Sequence, residues 1–254
     1  MSSNSKSKHR HSKHGKHGKH SRSLVKEIFS LMSDNAPTYY VEAYKMLATN
    51  IEFIAVAQDC KNIMVTSALP DEGKTNCAVN LALSLAGYGK TVCLVDCDLR
   101  KPSLHRLKRH PVGLTHVLKG EISLEEAIFP YEEESKLCLL LGGMIPPNPT
   151  ELLASKKMQR VVDSLAEKFD FVIYDTPPCL GISDVSVLGR YLDAAIIVCK
   201  HESTDKRLAA KAKSNLDNAG VNVIGAILSE YKAESNMESS YYYSYGGYYG
   251  KEDD

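Results

Sequence analysis

The sequence predicts an α/β fold, a mainly parallel sheet covered by helices on both faces. Three observations carry this. Six short apolar runs, at Ile63–Thr66, Val92–Val95, Leu137–Leu141, Phe171–Tyr174, Ala195–Cys199 and Val223–Leu228, alternate with longer segments of helical pattern. The runs are continuous in their apolar character, as in strands buried on both faces, and parallel strands need helical crossovers between them. Acids and a glycine turn fall at the ends of the runs, where ligands bind in open α/β sheets.

The helices follow in order. After Pro37 and Thr38, the residues Tyr40, Tyr44, Leu47, Ile51 and Ile54 recur at steps of four and three, which is one helical face. Further helix candidates lie near 75–88, 150–168, 184–191 and 204–219. The chain of 254 residues suits one such domain with appended tails. Its formal charge of zero hides an asymmetry: residues 1–26 hold eight Lys or Arg, five His and no acid, whereas the last 26 hold six acids and two Lys. Residues 1–37 are therefore expected to be a disordered basic arm, 38–229 the folded domain and 230–254 a flexible acidic tail. The arm reads as solvated, with contact to anionic lipid as the sharper alternative; its histidines stay unassigned. The seven cysteines form no CxxC pair and most sit in apolar runs, as reduced core thiols do. That usage, with no apolar run near the ~20 residues a membrane helix needs and no signal-type stretch at the start, points to the cytoplasm.

Residues Ala68–Thr75 read A-L-P-D-E-G-K-T, a phosphate-loop pattern with Ala68 at its first position. A strand precedes it and an amphipathic helix (Cys77, Leu81, Leu85, Tyr88) follows, the context the pattern requires. Gly73 lets the backbone approach a phosphate, successive N–H groups point inward, and the helix dipole adds positive potential. Lys74 would reach the β- and γ-phosphates, and the Thr75 hydroxyl would hold Mg²⁺. The nucleotide set is Ala68, Asp71, Glu72, Gly73, Lys74, Thr75 and Asn76, with ATP as ligand, in a fold of P-loop NTPase type.

Leu94–Arg100 carries two acids at i and i+2, Asp96 and Asp98, whose side chains are expected on one face of a strand end. One would hold Mg²⁺ through water and the other accept the proton of an attacking hydroxyl. Phe171–Pro178 places Asp175 after a third apolar strand, the Walker B arrangement, and its two prolines fix the loop exit. Thr75, Asp98 and Asp175 form the metal set.

Together these stretches resemble the bacterial tyrosine kinase family, in its form with a separate cytoplasmic kinase chain, over roughly residues 38–250. Ala68–Thr75, Leu94–Arg100 and Phe171–Pro178 match its Walker A, A′ and B motifs. Arg100-Lys101-Pro102, Ile145–Leu152 and the tyrosine-rich C-terminus match too. The resemblance implies a catalytic set of Lys74, Asp96, Asp98, Arg100 and Asp175, with Asp96 slightly favoured over Asp98 as base. It implies control of capsule or exopolysaccharide synthesis and a membrane-embedded chain-length regulator as activator, which would place the kinase at the inner face of the membrane. It also implies self-association into a ring, and a tyrosine phosphatase as counterpart; no nucleic-acid partner is expected. The sequence departs from the family in the helix before the P-loop, where E-x-x-R-x-x-R is replaced by Glu42–Ala48 with Lys45 and Ala48 at the arginine positions. Lys lacks the bidentate fork of Arg, and Ala has neither charge nor reach.

Tyr241, Tyr242, Tyr243, Tyr245, Tyr248 and Tyr249 place six phenols within nine residues. Flexible Ser and Gly between them let an acceptor hydroxyl reach a γ-phosphate in line, so these are the expected phosphorylation sites. Two other readings compete: a MinD/ParA-like deviant P-loop ATPase switch, which usually carries an extra early lysine absent from Leu69–Glu72, and a non-catalytic ATP-binding scaffold. An iron–sulfur carrier ATPase would want a late CxxC pair, and the sequence has none.

Overall fold

The computed structural model describes residues 36–231; the histidines of the basic arm and the tyrosine cluster lie outside the described residues. The chain runs α1 (Thr38–Gln58), β1 (Asn62–Ser67), α2 (Lys74–Gly87), β2 (Val92–Asp96), a 3₁₀ turn (Leu104–Arg106), α3 (Leu114–Lys119), α4 (Leu124–Ala127), β3 (Phe129–Pro130) and β4 (Leu137–Leu140). It continues through α5 (Pro149–Leu153), α6 (Lys156–Lys168), β5 (Phe171–Asp175), α7 (Asp184–Leu188), a 3₁₀ turn (Gly189–Tyr191), β6 (Ala194–Lys200), α8 (Lys206–Asn218) and β7 (Val223–Ser229). The strands form one sheet in the order β3-β4-β2-β5-β1-β6-β7. Every pairing is parallel except the short β3 against β4. The predicted mainly parallel sheet is thus present.

Alternate residues of each central strand serve opposite cores, as the strand period of two requires. Ile63, Val65, Leu94 and Ile173 pack with α1 and α2 through Ile51, Leu81 and Leu85. Met64, Val95, Val172 and Tyr174 pack with α6, α7 and α8 through Leu165, Val185 and Leu216. β1, β2 and β5 are buried along their whole length, which is why they read as unbroken apolar runs.

Three differences from the sequence reading have local causes. The single helix expected over 150–168 is two, because the Ser155 hydroxyl accepts from Met158 N and caps a new start at Lys156. The segment expected over 184–191 turns 3₁₀ after Leu188. The loops between β2 and β4 hold α3, α4 and β3, elements too short for periodicity to reveal. In α1, Ala48 is fully buried beneath the helix while Lys45 pairs with Glu42 on the exposed side. Ala48 is therefore a core residue and not a truncated surface cation.

Candidate active site

β1 ends at Ser67 and α2 begins at Lys74, so six residues make the turn between them. Gly73 has φ +86°, a conformation that side-chain-bearing residues rarely adopt, and a Cβ there would lie 3.3 Å from Ser229. The Cys77 N–H donates to Gly73 O at 2.9 Å. The N–H groups of Lys74, Thr75 and Asn76 are thus left over at the helix start, as helix geometry dictates, and are free to meet an anion.

The turn is held from outside by a set of hydrogen bonds that the sequence did not reveal. Glu72 is buried; one carboxylate oxygen accepts from Leu69 N at 2.8 Å and the other from the Thr204 hydroxyl. The Thr204 oxygen in turn accepts from Lys200 N at 2.7 Å, at the end of β6. Ser229, the last residue of β7, donates its hydroxyl to Glu72 O at 2.7 Å. The Glu72 side chain is thereby committed to fixing the loop, and what it can offer a phosphate is its backbone N–H. On the other side, Cys179 N donates to Ser67 O at 2.8 Å and the Thr66 hydroxyl to Pro177 O at 2.9 Å, tying the double-proline loop to the same strand.

The acids converge from two neighbouring strands. Asp96 and Asp175 are register partners at the ends of β2 and β5, and both are fully buried. β2 ends at Asp96, so Asp98 lies in the following turn and strand alternation does not place it; its N–H closes back onto Asp96 Oδ1 at 3.2 Å. Asp96 Oδ2 accepts from Ser103 N at 2.9 Å and Leu104 N at 3.0 Å. Asp98 accepts from Lys101 N at 3.0 Å and stands 3.8 Å from Lys74 Nζ. Burial, reinforced by the Asp175 charge, holds the Asp96 carboxyl above the usual range despite its backbone donors. Burial also raises Asp175, against the lowering influence of Lys74 and the nearby hydroxyls of Thr75 and Ser103.

Both oxygens of Asp175 are buried with no hydrogen-bond partner of good geometry. A buried acceptor pair left open is costly unless something else fills it, and a cation would. Among the described residues no group of three or more His, Cys, Asp and Glu could hold a metal by itself. A hard cation that takes one or two carboxylates and completes its shell with water and phosphate oxygens would satisfy Asp175.

Arg100 sits apart from this cluster. Its guanidinium donates to both oxygens of buried Asp184, at 2.7 and 3.0 Å, and to the Thr150 hydroxyl at 3.2 Å. It joins the turn after β2 to the starts of α5 and α7, so its geometry is that of a positioning residue. No spacing rule pairs residues 84 apart in the chain, so sequence reasoning missed Asp184, as it missed Thr204 and Ser229.

A glycine turn between strand and helix, faced by acids from the next strands, defines a nucleotide-binding P-loop NTPase. The comparisons refine that class. The family described as ParA, NUBPL iron-transfer P-loop NTPase, matches residues 60–251. Tyrosine-protein kinase YwqD of Bacillus subtilis (strain 168) is 42% identical over 203 residues, 79% of this chain and 85% of that protein. The kinase domain of Escherichia coli tyrosine kinase ETK superposes with a TM-score of 0.77 at 30% identity, covering 82% of each chain. The chimerical protein CapA2B2 gives a TM-score of 0.73 at 29% identity, covering 80% of this chain and 89% of that one. The chain belongs to the bacterial tyrosine-protein kinase family, within the ParA-type P-loop NTPases, and is an enzyme of that kind.

Two predictions follow from the contacts around the site. Arg100→Ala leaves buried Asp184 without its partly exposed cation and should cost about 1–3 kcal/mol at neutral pH. In the wild type, burial pushes the Asp184 carboxyl up, but its bonds to Arg100 and Thr150 bring it below its usual value. Its stabilising contribution is therefore present above the unfolded pKa of about 3.9 and lost as pH falls through the lower folded value. Without Arg100, burial raises the carboxyl, so the gap between variant and wild type should narrow on acidification from pH 7 toward 4.5 in urea titrations. Thr204→Val removes a donor from a buried carboxylate and should raise the KM for ATP by roughly tenfold with a smaller effect on kcat, while Thr204→Ser restores it; steady-state kinetics at varied ATP checks this.

Proposed function

We propose that this kinase transfers the γ-phosphoryl group of ATP to the tyrosines at 241–249 and that the transfer runs between copies of the chain. The observation that carries the reading is the pairing of Asp96 and Asp175 at adjacent strand ends, opposite the P-loop lysine. In this reading the N–H groups of residues 71–76 cradle the phosphates, and Lys74 leaves Asp98 for the β/γ-bridging region. Thr75, Asp98 and Asp175 would hold Mg²⁺, which would supply positive charge to offset that on the phosphate oxygens. Asp96 takes the phenolic proton. Its raised proton affinity brings it toward the working range of a general base, and three backbone N–H groups fix its orientation. Arg100 holds the turn that carries both acids.

The same reading assigns the chain to control of capsule or exopolysaccharide synthesis, with a membrane-embedded chain-length regulator as activator and a tyrosine phosphatase as counterpart. Among the described residues no helix is long and apolar enough to cross a membrane, so a place at the membrane's inner face would come from such a partner. Self-association finds support in α1, whose outer side exposes Tyr39, Met46, Phe53 and Val56. Three of these recur at seven-residue steps and form one stripe along the helix.

Purified protein given Mg-ATP, with an activator where needed, should gain phosphate within 241–249, and Lys74→Ala should abolish it. Phosphopeptide mass spectrometry reads this; a tail that stays unmodified under activated conditions would refute the reading.

A further inference from the structure

The sequence before α1 changes character at Leu24. Residues 2–23 hold no apolar side chain, whereas Leu24–Met32 reads L-V-K-E-I-F-S-L-M, with six of nine residues apolar. Leu24, Val25, Ile28, Phe29, Leu31 and Met32 recur at helical steps and leave Lys26, Glu27 and Ser30 to the opposite side. Pro37 stops such a pattern from running on into α1, because its ring removes a donor and forces Ala36 away from helical backbone. The residues between, 33–37, read Ser-Asp-Asn-Ala-Pro, a turn composition of five residues. That is within the roughly two to eight that join neighbouring helices of a bundle. On α1 itself, Tyr39, Ala43, Met46, Asn50, Phe53 and Ala57 are all exposed and follow one another at steps of four and three. Such spacing is the seam of a helix that packs on another helix. It lies opposite the buried Tyr44, Ala48 and Ile51. The seam is apolar from Tyr39, 62% exposed, to Met46, 60% exposed, and turns polar at Asn50.

We propose that Leu24–Met32 docks as a helix on the Tyr39–Met46 half of this seam in the same chain, folded back antiparallel to α1. Length and attachment select the occupant. Nine helical residues span about 13 Å, and the seam from Tyr39 to Met46 covers about 11 Å. The five connecting residues reach at most about 18 Å, so Met32 stays near the start of α1. Another open apolar surface, a groove of about 360 Å³ lined by Ile197, Ala209, Ala210, Val223 and Gly225, lies at the wrong end. α1 runs antiparallel to β7: Gln58 accepts from Asn222 Nδ2 at 3.1 Å just before the strand, whereas the Glu230 charge just after it acts on Tyr40. The groove is therefore about 30 Å of helix away from Thr38. Docking covers part of the face through which copies would associate; that consequence rests on the reading above, and the docking itself does not. A seam left free about a tenth of the time binds a second copy about tenfold more weakly. The segment thus sets the concentration at which copies assemble.

The chain has no Trp, so Met46→Trp in the full-length protein is a single reporter on the seam. Phe53→Trp, beyond the reach of the segment, is its control. In dilute protein, shown to be monomeric by sedimentation, M46W should emit further to the blue than F53W and resist acrylamide quenching. Adding I28S and L31S should abolish both differences without moving the thermal melt of the domain. In sedimentation at rising concentration, the same pair should lower the concentration of half-assembly about tenfold. M46W as open to acrylamide as F53W in the intact monomer would overturn the docking. So would protection that survives I28S and L31S. Protection that appears only at concentrations where copies assemble would give the seam to a second copy and overturn it too. An unchanged half-assembly concentration would overturn the control of assembly. These readouts need no phosphoryl transfer, so the docking and the kinase reading fail separately.

Discussion

The structure depends on keeping carboxylates close together where water does not reach. Asp96 and Asp175 stand side by side, fully buried, with Asp98 one turn on and Lys74 facing them. Burial disfavours ionisation, and neighbouring like charges add to the penalty, so both buried acids have a raised affinity for protons. A fold has no structural reason to keep such a pair, since apolar residues of similar volume would pack there at lower cost. In the proposed reading the pair is a stored demand for a cation and a proton acceptor, met when the nucleotide arrives.

The remainder of the molecule holds that demand in place. Asp96 is pinned by three backbone N–H groups, the Asp98 turn by Lys101 N, and the strap after β5 by bonds to β1. The glycine turn is gripped from the edge of the sheet by Thr204 and Ser229 through Glu72. This last contact ties the end of β7 to the glycine turn.

Much of this was legible from residue order. The parallel core strands showed themselves because both faces of β1, β2 and β5 are buried, and the P-loop because its residues are contiguous. Asp96, Asp98 and Asp175 stood out because each ends or follows an apolar run. What escaped notice was long-range or short in span. Asp184, Thr204 and Ser229 act on residues far away in sequence, and α3, α4 and β3 are too brief to show a period. Ala48 looked like a lost surface cation until its burial became known. Arg100 stood in the catalytic set by resemblance, and its guanidinium turns to Asp184 and Thr150, contacts no spacing rule shows.

The central claim, that Asp175 is an open buried carboxylate kept for a metal–nucleotide complex, is tested most directly by thermal melting of Asp175→Asn beside wild type, with ATP, in the presence and absence of Mg²⁺. Removing a carboxyl whose proton affinity is raised by burial should make the ligand-free variant melt higher than wild type, as happens when function holds strain in a site. Adding Mg²⁺ to ATP should then raise the melting temperature of wild type and leave the variant unmoved. A variant that melts lower without ligand, or gains as much from Mg²⁺ as wild type does, would contradict the account.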